Sequence, residues 1–316
     1  MSRWPIRFGF QTGQQNVAWR DLLALWQECE QLGFDSGWNF DHFIPIFADP
    51  AGPCLEAWTM LGALAMQTST LRIGTMVTGN TYRHPAVLAK MATTVDILSG
   101  GRLNLGLGAG WFELEHRAYD IAFPRLGDRL QMLDEALQVL KRLWTEPQAN
   151  FTGKYYQLHD AYFEPKTVQR PHPPIMIGAA GEQVALRIVA QHADAWNTFG
   201  SPEVLRHKIG VLEEHCRRLG RDPDSIEKSV LIPMMLTADR TRAEQAVRAT
   251  ATLWSLPPEE ARARMLVGDA RAIIQQIATF VDVGVTHIIL MLMPPYDLDG
   301  LRAFGARVIP HFRTRA

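Results

Sequence analysis

Asp41 and His42 stand side by side at the end of the run Ser-Gly-Trp-Asn-Phe-Asp-His, residues 36–42. An imidazole changes charge near neutral pH and can carry a proton, and a neighbouring carboxylate can hold or polarise a second group. As a bare dipeptide the pair fits a satisfied structural histidine equally well, so its position in the fold decides. Three segments rich in small residues could wall such a pair. Gly-Leu-Gly-Ala-Gly-Trp at 106–111 alternates glycines, and a backbone without Cβ atoms lets a flat ligand or a phosphate come close. Its GxGxG spacing is not the GxGxxG dinucleotide fingerprint. Gly178-Ala179-Ala180-Gly181 precedes a helical pattern that starts near Glu182, where free amides and the helix dipole favour an anion. The stretch 74–80, Gly-Thr-Met-Val-Thr-Gly-Asn, has two glycines that suggest a kink or bulge against a ligand.

Metal chemistry has little support. His42, His84, His116 and His172 are scattered, with no HxH or HExxH spacing. Glu113 and His116 could meet on one helical turn, which a solvated face explains as well. No metal is expected. Cys29, Cys54 and Cys216 have no CxxC or paired spacing and read as free thiols.

The elements that must position these residues alternate. Short, nearly continuous apolar runs at 6–13, 36–42, 71–79, 102–109, 174–179, 194–199, 228–236 and 286–292 suit strands covered on both faces. Between them lie helical patterns. In 126–144, Leu126, Leu130, Leu133, Leu137, Leu140 and Trp144 form one apolar stripe. The stretches 18–33, 85–98, 182–192, 203–219, 269–283 and 297–312 are patterned similarly. Eight βα units predict a (β/α)₈ TIM barrel, α/β in class, as one domain over residues 1–316. The surplus over an ideal barrel falls in insertions at 44–57, 111–125, 145–173 and 239–268. Within the third, 151–158 could form a small hairpin. In such barrels the site lies at the C-terminal ends of the strands, which is where Asp41, His42, Ala109, Trp111, Ala179 and Thr198 fall.

Composition narrows the partners. Lys+Arg 32 against Asp+Glu 33 leaves a net charge of −1, without the basic excess of nucleic-acid binders. The most apolar stretches, such as 286–293, are far too short to span a bilayer. The N-terminus has no charged-then-apolar leader, so a soluble cytoplasmic protein with a small-molecule substrate is expected.

Together these segments resemble the bacterial luciferase-like family, and within it the branch using coenzyme F420, a 5-deazaflavin. The resemblance rests on Asp-His-Phe at 41–43, LRIGTMVTGNTYRHPAVLAK at 71–90, SGGRLNLGLGAGWFELEHRAY at 99–119, RLGDRLQMLDEALQVLKRLW at 125–144, KTVQRPHPPIMIGAAGE at 166–182 and ADAWN at 193–197. It implies a barrel that holds the deazaflavin ring at the strand mouths. A non-prolyl cis peptide at Met76–Val77 would press on the ring. Asp41 would touch the ring system, and His42 would donate or accept the proton. Ala109, Gly110 and Trp111 would line the ring edge, and Gly178, Ala179, Ala180 and Gly181 would receive the phosphate.

Two positions depart from the sugar-phosphate dehydrogenases of that family, which have a glutamate where Trp111 stands and a tryptophan where Ile46 stands. The substrate pocket, bordered by Gln11, Ile44–Phe47, Trp111 and Thr198, reads as mostly apolar. The activity implied is hydride transfer between F420 and a small, largely apolar substrate. Two other readings stay open: a monooxygenase using flavin mononucleotide (FMN) to activate oxygen, and a non-catalytic barrel that binds the cofactor only. The resemblance also leaves a homodimer open.

Overall fold

The computed structural model describes residues 4–46 and 48–313. Eight parallel strands close into a ring: β1 Arg7–Thr12, β2 Ser36–Asn39, β3 Arg72–Thr75, β4 Leu103–Gly108, β5 Ile175–Gly178, β6 Ala195–Thr198, β7 Glu227–Leu236 and β8 His287–Leu292. Each pairs with the next, and β8 closes on β1 in register from Arg7↔His287 to Thr12↔Leu292. The expected (β/α)₈ barrel is the fold observed. Near-continuous apolar runs form these strands because both faces are covered: every residue of β4 is buried.

Trp38, Met176, Leu231 and Ile289 fill the barrel axis. Beneath them a polar floor links Ser36 Oγ to His287 Nε2 at 2.9 Å, with Glu227 at 3.3 Å from His287 Nδ1. Helices pack outside. The helix Leu126–Thr145 buries Leu133, Leu137, Leu140 and Trp144 of the stripe read from the sequence, whereas Leu126 is exposed and Leu130 half-buried. The helix Ala57–Gln67, which the periodicity did not reveal, is capped by Glu56, whose carboxylate accepts from the Trp58 and Thr59 amides.

The insertions carry their own elements. Residues 148–162 form an antiparallel hairpin, Gln148–Thr152 with Gln157–Tyr162. Helix Glu113–Ala118 lies in the second insertion. Helices Arg240–Trp254 and Pro258–Ala263 and the strand Leu266–Gly268, which pairs with β7, make the last.

The third strand carries the kink that its glycines suggested and the Met76–Val77 cis peptide that the family resemblance implied, and both shape the site. The run 71–79 is not continuous. It stops at Thr75, turns through a cis Met76–Val77 peptide, and resumes as Thr78–Gly79 paired to β4. Gln11 Nε2 donates to Met76 O at 2.6 Å, and the Met76 amide donates to Asn39 O at 2.7 Å. The glycines of β4 make room for this bulge. A Cβ on Gly106 would stand 1.9 Å from Thr75 O, and one on Gly108 would stand 2.8 Å from Val77 Cγ2. Gly106→Ala is therefore expected to lower unfolding free energy by about 3 kcal/mol, the upper end for overpacking, measured by urea denaturation.

Candidate active site

β2 ends at Asn39, so Asp41 and His42 lie in the loop just beyond the strand rather than within it. Gln14 ties that loop down, its Nε2 donating to Phe40 O at 2.5 Å. Asp41 is 1% exposed. Arg83 grips it with two hydrogen bonds, at 2.5 and 3.0 Å, and the Gly79 amide donates to it at 3.3 Å. Burial pushes the Asp41 carboxyl upward, and the Arg83 guanidinium pulls the other way. Arg83, 42 residues away in sequence, gave no signal in the sequence.

His42 is held by a residue that sequence reading also missed. Glu115, on the short helix Glu113–Ala118, is fully buried and accepts from His42 Nδ1 at 2.9 Å. The same carboxylate accepts from the Phe43 amide, the Ile44 amide at 3.0 Å and the Tyr82 hydroxyl. Burial alone would raise the Glu115 carboxyl. The bonds from His42, Tyr82 and Phe43 outweigh it and hold the group below its ordinary value. With an ionised acceptor on Nδ1, neutral His42 carries its proton there and presents Nε2 as an acceptor. Phe40, Trp111 and Phe112 meet the ring edge-on, with centroids 5.4–5.7 Å away.

His42 and Asp41 line a cavity of about 450 Å³ at the C-terminal mouth of the barrel. Of the residues expected to hold a cofactor, Met76, Val77, Gly110, Trp111, Gly178, Ala179 and Ala180 join them in its wall. Ala109 does not, and packs instead against the core. Gly181 does not either; its carbonyl accepts from Leu186 N at 3.0 Å. Gln11, Ile46 and Thr198 are in the wall as expected, and Phe47 lies outside the described residues. Gly79 and Asn197 belong to it as well, and Phe40, Tyr82, Phe199, Leu231 and Met291, which were not foreseen, complete it. Val77 sits in a slot between Gly108 and Gly178: a Cβ on Gly178 would be 2.9 Å from Val77 Cγ1. Gly106 and Gly108 thus serve the bulge, whereas Gly110, at φ +81°, turns the chain at the rim.

Beyond Gly178 the helix begins at Ala185 rather than near Glu182, and no side chain caps it. Ala180 and Gly181 are exposed. Lys208 sets a cation beside this loop, its Nζ donating to Ala180 O at 2.7 Å. Among the described residues no helix is long and apolar enough to cross a membrane.

Residues 4–255 match the family model described as luciferase-like monooxygenase. The F420-dependent glucose-6-phosphate dehydrogenase of Microbacterium testaceum is 29% identical, over 98% of both chains. An F420-dependent secondary alcohol dehydrogenase, solved with an F420–acetone adduct, superposes with a TM-score of 0.86 at 23% identity, over 96% of this chain and 98% of that one. The coenzyme F420-dependent tetrahydromethanopterin reductase of Methanopyrus kandleri gives 0.80 at 18% identity, over 98% and 99%. Those two likenesses speak for the fold. From the match over most of its length, the chain belongs to the luciferase-like monooxygenase family.

Proposed function

We propose that the protein is an F420-dependent oxidoreductase whose mouth holds the deazaflavin against the Met76–Val77 bulge and whose substrate is an uncharged alcohol, ketone or related carbonyl compound. The residues present fit that cofactor. The Val77 bulge, Gly110 and Gly178 offer a flat, mostly apolar bed. The exposed Ala180 and Gly181, the uncapped helix start and Lys208, which also pairs with Glu182 at 3.1 Å, offer an anion site for its phosphate. Bound F420 supplies a two-electron hydride acceptor or, when reduced, a donor.

The observation that carries the reading is His42, oriented by Glu115 on one wall of an apolar cavity. His42 Nε2 takes the hydroxyl proton as an alcohol gives up its hydride, or returns a proton to the oxygen as a carbonyl is reduced. Glu115 keeps the ring in the tautomer that accepts. Among the described residues no lysine or arginine lines the cavity, which disfavours a phosphorylated substrate, and Trp111 stands where the family's sugar-phosphate dehydrogenases have a glutamate.

The test is anaerobic turnover followed by the absorbance of F420, with secondary alcohols and oxidised cofactor, and with ketones and reduced cofactor. Turnover with these and none with glucose 6-phosphate is the expected result. Oxygen consumption with reduced FMN, and none of the F420 reactions, would instead favour the monooxygenase reading.

A further inference from the structure

Beside the mouth lies a second cavity of about 390 Å³, between the upper ends of β7 and β8 and the helix Arg240–Trp254. Met234, Met235, Met291 and Met293 line it, with Pro233 and Leu253. Methionine is unbranched and soft, and such walls adapt to flexible apolar chains. Asp297, the one charged wall residue among the described residues, is engaged, lying 3.4 Å from Arg242 and accepting from the Gly300 amide. Met291 is a wall of both this cavity and the mouth, and pairs across the ladder with Pro233. The two spaces therefore share a flexible partition.

We propose that this methionine-lined cavity receives the apolar tail of the substrate whose reacting carbon sits beside His42. The occupant is an uncharged aliphatic chain, extended from a ketone or secondary alcohol. The proposal rests on the oxidoreductase reading for the position of the reacting end. It assigns Met234, Leu253 and Ala249, which also lines the cavity, as determinants of chain-length preference.

The test is calorimetric titration of the protein, with and without F420, using acetone and methyl butyl, methyl hexyl and methyl octyl ketones. In the wild type, affinity is expected to rise by up to about fourfold per added methylene. In Ala249→Trp, on the exposed side of its helix, the rise should stop at the short ketones, with long-ketone affinity down at least about tenfold and acetone and F420 binding unchanged. Leu253→Trp provides an independent block should the first variant fail to fold. Equal gains with chain length in the wild type and both variants would overturn the proposal, since the tail would then lie elsewhere. Absence of F420 binding by the wild type would count against the cofactor reading instead, and the chain-length series without F420 would still decide the cavity.

Discussion

His42→Ala is expected to lower kcat by roughly 10²–10⁴-fold, the usual worth of a positioned general acid or base, while F420 affinity and the urea midpoint stay close to the wild type. The reasoning is geometric. His42 is the imidazole in the wall of the mouth, and its Nδ1 is already committed to Glu115, which leaves Nε2 for the substrate oxygen. The Asp41 carboxylate beside it is already held by two hydrogen bonds from Arg83. Steady-state kinetics with a secondary alcohol, alongside a cofactor titration of the variant, check the expectation. A variant that turned over at the wild-type rate would remove His42 from the reaction.

Glu115 should show the second-largest effect, in two separable parts. Glu115→Ala leaves the His42 ring, the Phe43 and Ile44 amides and the Tyr82 hydroxyl without their shared acceptor, and a loss of about 3–5 kcal/mol in stability is expected. Glu115→Gln keeps the shape but replaces one acceptor oxygen by a donor. That favours the other His42 tautomer, with its proton on Nε2, and kcat should fall roughly 10–100-fold, the usual effect of losing a carboxylate that orients a histidine. A merely structural role would not change the pH profile of kcat, whereas this one should.

Stability has its own pH signature. The Glu115 carboxyl sits below its ordinary 4.5 in the folded protein. Its contribution is therefore present above the unfolded value and is lost as pH falls from there through the folded value. Glu115→Gln should flatten that acid limb in a series of urea midpoints between neutral and acid pH.

The barrel was legible because the chain repeats one signal. Apolar runs of strand length, each followed by a stripe of helical period, located every barrel strand, though with several ends drawn too long, and bounded the helix Pro85–Leu98 at its observed limits. The helix Ala57–Gln67 escaped because Ala57, Trp58, Met60, Leu61, Leu64 and Ala65 bury several of its sides, so no clean stripe marks it. Asp41 and His42 were legible as types at a strand mouth, but their partners were not. Glu115 shares a short helix with Glu113 and His116, and a run of charges there reads as a solvated face. Only the packing of that helix over the mouth buries Glu115 and turns it onto His42. Arg83 is likewise brought to Asp41 by the turn after Thr78–Gly79. The glycines of β4 were recognised as a place of close approach, yet what approaches Gly106 and Gly108 is the protein's own bulge at Thr75–Val77.

Whether this mouth takes a deazaflavin in preference to a flavin is decided by equilibrium titration of the purified protein with F420 and, separately, with FMN. Saturable binding of F420, tighter than that of FMN and weakened by Lys208→Ala beside the phosphate loop, is the predicted result. Tight binding of FMN with no binding of F420 would contradict it.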